Sequence, residues 1–170
     1  TITNAATGNA PNLSVTGDDT NVDLNLTPKG YGRVTFNGMG KILSTAEKIT
    51  ISATAATGTI NYDVITQSVL YYTTASSGNF TVNLRGDGSN SMNNIMDTGE
   101  SVTVAFLVTN TGTPYYNSAV QVDGSGVTPE WQGGAAPSAG NANSVDSYSY
   151  TIVKTGDTAF TVFASQVQFA

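Results

Sequence analysis

The sequence predicts an all-β protein. It divides into an N-terminal short-stranded β stalk over residues 1–40 and a β-sandwich, jelly-roll-like domain over 41–170, with at most one short helix. Three observations carry that expectation. Apolar residues alternate with polar ones at the two-residue period of a strand along most of the chain. Turn-forming Gly, Asn and Asp separate the alternating runs at short intervals. Charged residues make up only 11% of the 170, against roughly 25% in an ordinary soluble domain. Thr, Ser, Asn and Gly stand in their place, and the hydroxyl and amide side chains suit strands and turns better than helix interiors.

Within 1–40 the apolar positions come in very short runs: Leu13 and Val15, then Val22, Leu24 and Leu26, then Val34 and Phe36. Gly17-Asp18-Asp19 and the stretch from Thr27 to Gly32 (TPKGYG) separate them as turns. Such runs hold too few apolar residues to close a core, and isolated short strands are marginal in water. The segment therefore needs a partner, either the following domain or the same segment of other chains; the second is favoured, and would bury Leu13, Val15, Val22, Leu24, Leu26, Val34 and Phe36. Gly38-Met39-Gly40 reads as a hinge.

Beyond the hinge, strands are expected over 48–53, 68–73, 80–84, 101–109, 119–122, 148–154 and 159–169, with 101–109 (SVTVAFLVT) the most hydrophobic and central. The last two should form a hairpin across Thr155-Gly156-Asp157. A helical turn capped by Ser89 or Asn90 would carry Met92, Ile95 and Met96 on one face, end at Gly99 and cover one end of the sandwich. Residues 124–146, rich in Gly, Pro and Ala and holding Trp131, read as a long surface loop. No repeat of solenoid period stands out.

The chain has no Cys and no His. Disulfides, thiolate zinc sites and any nucleophile activated by an imidazole are thereby excluded. The net charge is -6 with six scattered Lys and Arg, so nothing resembles the basic stripe that neutralises phosphates, and neither nucleic acid nor an anionic membrane is an expected partner. No apolar run approaches the roughly 18 residues that span a bilayer. The chain opens on Thr1 without an initiator Met, which suggests a product processed or cut from a longer polypeptide.

Paired carboxylates could hydrolyse glycosides. Glu47, Glu100 and Glu130 are the only glutamates, and Asp87, Asp97, Asp123 and Asp146 fall in or beside expected turns, where Asp bonds the local backbone. No catalytic residue, metal site or cofactor is expected. Arg85-Gly86-Asp87-Gly88-Ser89-Asn90 lacks the acid spacing of a calcium loop, and reads as a polar turn rather than an adhesive tripeptide. Lys29-Gly30-Tyr31-Gly32-Arg33 lacks the Gly-Lys-Ser/Thr ending of a phosphate cradle. Asn79-Phe80-Thr81 matches a glycosylation acceptor of a kind common by chance in such a composition. Buried strand positions account for Tyr71, Tyr72, Tyr148 and Tyr150. Tyr115, Tyr116 and Trp131, in or near loops, are the candidates for surface recognition, with Trp131 equally suited to be a lid over one end of the core.

From Asn12 to Gly38 the chain reads NLSVTGDDTNVDLNLTPKGYGRVTFNG. This stretch resembles the fibre and structural proteins of tailed bacteriophages, in which short DLNLTPKGxGxV units interleave three chains into a β-rich shaft. The stretches 41–55 (KILSTAEKITISATA), 131–143 (WQGGAAPSAGNAN) and 148–170 resemble the distal domain of such proteins from marine cyanophages, so that together the two parts cover most of the chain. The resemblance implies a homotrimeric virion component with a stalk and a knob. Its other partners would be virion proteins and, for host attachment, a cell-surface glycan or protein. It carries over no catalytic residue, and leaves a tail fibre, a head fibre, a neck appendage and a capsid decoration protein all open. Outside that resemblance, the residues also leave room for a carbohydrate-binding module of an adhesin using loop aromatics, a polysaccharide-degrading enzyme using two carboxylates, or a pilus subunit whose 1–40 segment donates a strand.

Overall fold

The computed structural model describes residue 11 and residues 13–169; residues 1–10, Asn12 and Ala170 lie outside the described residues, and with them the first part of the expected stalk. The chain divides into two compact units, Thr1–Leu43 and Ser44–Ala170.

The described residues of the first unit form turns and bends but no strand, so the short strands expected there are not formed in the single chain. The physical reason is the one that made them suspect: each run is two or three apolar residues long and has no neighbouring strand to complete its hydrogen-bond ladder. One local turn is closed by Gly32 N–H donating to the Lys29 carbonyl at 3.1 Å, with Gly30 at φ 60°.

The second unit is almost entirely strand. In chain order these are β1 (Ile49–Ala55), β2 (Gly58–Asp63), β3 (Val69–Thr74), β4 (Phe80–Arg85), the helical turn α1 (Met92–Ile95), β5 (Ser101–Thr109), β6 (Asn117–Val122), β7 (Ser125–Val127), β8 (Glu130–Trp131), a 3-10 turn at Gln132–Gly134, β9 (Val145–Gly156) and β10 (Ala159–Phe169). They make a six-stranded sheet in the order β1-β3-β5-β9-β10-β8 and a four-stranded sheet in the order β2-β4-β6-β7. The all-β, two-sheet expectation holds, and the strand over 101–109 is central as expected.

The connectivity is not the antiparallel order of a jelly roll. From β1 to β6 successive strands alternate between the sheets, and within each sheet their neighbours run parallel. Parallel strands need a crossover, and each sheet uses a strand of the other as that crossover. The chain thus winds three times around one core before β9 and β10 close the larger sheet antiparallel. Equivalent positions stack across the turns, Ile60 on Val82 on Val120 and Tyr62 on Leu84 on Val122.

Both sheets contribute to one core. Phe80 of the smaller sheet meets Phe106 and Tyr148 of the larger one edge-to-face at 5.7 and 5.8 Å, the geometry that ring quadrupoles favour. In β5 and β9 alternate residues are buried, so each strand gives one face to the core. The inward row of β9 reads Asp146, Tyr148, Tyr150, Ile152, Lys154, apolar rings in the middle and a charged group at each end.

Three expectations about local structure are corrected. The segment 124–146 is not one loop, because β7, β8 and the 3-10 turn occupy its first half. The β9–β10 hairpin turns at Asp157-Thr158, with Gly156 already paired to Ala159 and Thr158 holding φ 53°. The helix cap is Ser91, whose Oγ accepts from Asn94 N–H at 3.1 Å; Met92 and Met96 join the core and Ile95 packs against it, as their spacing predicted.

Candidate functional site

Of the three recognition candidates, Trp131 is the one that borders grooves. It sits on β8, the short edge strand that pairs parallel with β10 through Glu130 opposite Phe163 and Trp131 opposite Ala164. Gly133 and Gly134, at φ 82° and 79°, then turn the chain away, a conformation that other L-residues adopt only with strain. The half-buried indole meets the Tyr150 ring at 6.5 Å and 71°, so one edge caps the core while the rest faces solvent. Three grooves border it. One of about 380 Å³ runs past Glu130, Thr151, Phe163 and Ser165; a second of about 470 Å³ is lined by Ala135, Pro137, Gln166 and Gln168; a third of about 250 Å³ by Asn117, Val127 and Pro129. The contact with Tyr150 is that of a lid over the core, and the rest of the indole borders the grooves.

Tyr115 and Tyr116 do not join it. Both are half-buried and neither lines these three grooves. Their backbones are pinned by amide side chains. Tyr115 N–H donates to Asn110 Oδ1 at 3.2 Å, Asn110 Nδ2 returns a bond to the Tyr115 carbonyl at 3.2 Å, and Tyr116 N–H donates to Asn79 Oδ1 at 3.2 Å. That last bond gives Asn79, the glycosylation-type position, a structural part. Tyr148 and Tyr150 are fully buried, as expected, while Tyr71 and Tyr72 are half-buried.

Asp87, Asp123 and Glu100 bond the backbone, and Asp63 and Glu47 bond side chains. Asp87 Oδ1 accepts from Ser89 N–H at 2.7 Å and Asn90 N–H at 2.8 Å, and those bonds, with one from the Asn90 amide, hold its carboxyl below the usual range. Arg85 is paired to Asp63 at 2.6 Å, so the Arg-Gly-Asp stretch is a closed polar turn. Asp123 caps α1, accepting from Met92 N–H at 2.7 Å and Asn93 N–H at 3.1 Å. Glu100 Oε2 accepts from Asp97 N–H at 2.8 Å and Glu47 from Ser68 Oγ at 3.2 Å. Among the described residues, no group of three or more acids is placed to hold a metal ion.

Asp146 departs from the turn role expected of it. It lies in β9, fully buried. Its carboxylate accepts from Asn110 Nδ2 at 3.1 Å, Asn141 N–H at 3.1 Å and Gln166 Nε2 at 3.2 Å. Burial pushes its pKa up, against the pull of the bonds from Asn141 and Gln166. Asn110 also bonds Ser76, and Gln166 reaches Tyr148 Oη at 3.1 Å. The network continues through the Tyr148 hydroxyl, which accepts from Asn117 N–H at 3.2 Å, and the Tyr150 hydroxyl donates to Asn117 Oδ1 at 3.1 Å. Burial likewise raises the hydroxyl pKa of Tyr62, Tyr148 and Tyr150, so these phenols stay protonated and able to donate. Strand alternation pointed to inward tyrosines at 148 and 150; it gave no sign that an acid would share their row.

The seven stalk residues expected at an interface are all exposed in the single chain, from 39% at Val15 to 69% at Phe36. No protein-family model, curated protein or solved structure matches this chain.

Proposed function

We propose that this chain is a non-catalytic structural component of a tailed-phage particle, a fibre, appendage or decoration protein. Residues 1–40 associate threefold, and the second unit is displayed as a knob, with attachment to a host surface as a second task. The observation that carries the proposal is the uncovered apolar row of the first unit. Leu13, Val15, Val22, Leu24, Leu26, Val34 and Phe36 are exposed together, and at roughly 25 cal/mol per Å² of apolar surface removed from water, covering them is a strong drive to associate. Large exposed apolar residues gathered in one short segment favour a contact that another molecule covers. The resemblance of residues 12–38 to phage shaft sequences supplies the particle.

The composition agrees. A surface of hydroxyls and amides, no imidazole or thiol, and carboxylates tied into turns and caps suit a protein that holds shape and presents surface. Antibodies raised against the second unit should label intact virions in electron micrographs; virions of the source phage left unlabelled would contradict the assignment.

The grooves beside Trp131 favour one further reading, binding of a host-envelope glycan against the exposed part of the indole. Such binding should register on a glycan array and be lost in Trp131→Ala. An array without signal removes the glycan and leaves the structural role standing.

A further inference from the structure

The two outward sheet faces of the second unit differ sharply in chemistry. On the four-stranded sheet the outward row is polar and bonded to itself: Asn83 Nδ2 donates to Asn61 Oδ1 at 2.8 Å and Arg85 pairs with Asp63 at 2.6 Å. On the six-stranded sheet the five long strands β1, β3, β5, β9 and β10 present no charged side chain outward. Their only ionisable acid and base, Asp146 and Lys154, both point into the core. The register aligns Ile51, Tyr71, Leu107, Ser147 and Val167 in one row across that face. Of the exposed large apolar residues of this unit, Ile49, Ile51, Phe163, Val167 and Phe169 stand on it, and Ile65 alone lies elsewhere.

We propose that this face is covered by the same face of a second copy of this chain. Three observations select that occupant. The chain carries a net charge of -6, and copies brought together through five strands without outward charges, with Glu130 only at the β8 edge, avoid placing like charges in contact. Five strands of six to twelve residues, about 4.8 Å apart and rising about 3.4 Å per residue, make a flat area on the order of 700 Å². That is close to the roughly 800 Å² per partner of a stable interface and above the 300–600 Å² patch of an ordinary monomer. Among the described residues of this unit no other outward surface gathers exposed apolar side chains, so the one face that matches it is its own copy. The proposal is independent of the stalk, since it rests on the second unit alone.

The absence of cysteine makes the test clean. Ser147→Cys places one thiol within the aligned row of this face, and Thr59→Cys places one on the outward side of the four-stranded sheet. Sheets packed face to face lie about 10 Å apart, within reach of a short bis-maleimide. Full-length Ser147→Cys should give covalent dimers at micromolar protein, and Thr59→Cys should not. Adding Ile51→Lys and Val167→Lys to the Ser147→Cys chain should abolish the cross-link, because the lysines would be buried against their symmetry mates. Ser147→Cys that cross-links no better than Thr59→Cys overturns the proposal, including where the protein is trimeric through its stalk or where the thiol is shielded by some other molecule. The comparison of the two cysteine variants decides the matter by itself if the lysines disturb folding.

Discussion

Asp146 and Lys154 end the inward row of β9, and each fastens one end of the fold. Lys154 Nζ donates to the Asn93 carbonyl at 2.7 Å and the Met96 carbonyl at 2.8 Å, satisfying groups at the C-terminal end of α1 that the short helix cannot bond itself. Lys154→Met keeps the stem but strands those carbonyls, and should lower unfolding free energy in urea by about 2–3 kcal/mol. At the opposite end of the strand, Asp146 holds the 110–116 and 139–144 segments through Asn110 and Asn141. Gly140 is there because a Cβ would overlap the Tyr115 carbonyl and lie 2.8 Å from both Asn110 Nδ2 and Asp146 Oδ2. Gly140→Ala should therefore cost about 1–3 kcal/mol, by overpacking, in the same measurement. The raised pKa of Asp146 has a defined sign. The folded state binds its proton more tightly than the unfolded state, so the contribution to stability is full below the ordinary Asp range and is lost as pH rises through the folded pKa. The unfolding midpoint of wild type relative to Asp146→Asn should fall as pH rises from that range; a difference constant with pH would contradict the burial argument. Neither residue was legible in the sequence. An acid next to a Gly-rich stretch reads as a turn residue and a Lys at a strand end reads as solvated, because strand period tells which face a residue takes but not what waits there.

Most strands of the second unit were legible because their alternation is long. SVTVAFLVT and AFTVFASQVQF match β5 and β10 to the residue. β2 was not, since GTINYD offers only Ile60 and Tyr62 as apolar positions, and β7 and β8 are too short to show a period. The threefold winding was hidden for a different reason. Ile60, Val82 and Val120 are equivalent, yet the 86–100 segment with α1 and the 110–116 loop enlarge the last turn, so no constant repeat length appears. Outward amides hold those turns in register. Asn83 donates to Asn61 and accepts from Gly124 N–H at 2.8 Å, linking β4 to β2 and to the turn after β6. Asn83→Ala should cost about 1–2 kcal/mol, seen as a lower thermal midpoint with the β-sheet circular dichroism spectrum retained; an unchanged midpoint would show that backbone ladders alone hold the winding.

For the whole molecule, the contrast between the units is the main consequence of the sequence. The second unit buries Tyr62, Phe80, Phe106, Tyr148, Tyr150 and Ile152 almost completely, enough to fold around its own core. The described apolar residues of the first unit lie in water, as the shortness of its runs implied. Leu24→Asp with Leu26→Asp should leave the thermal midpoint of the second unit unchanged while undoing the association through the first unit, which size-exclusion chromatography would register as later elution. Association of the intact chain is the claim on which the account turns, and sedimentation equilibrium at micromolar concentration measures it directly. Threefold association through the first unit predicts three copies of the 17.5 kDa chain, or a multiple of three where second units also pair face to face, and a persistent mass of 17.5 kDa would contradict it.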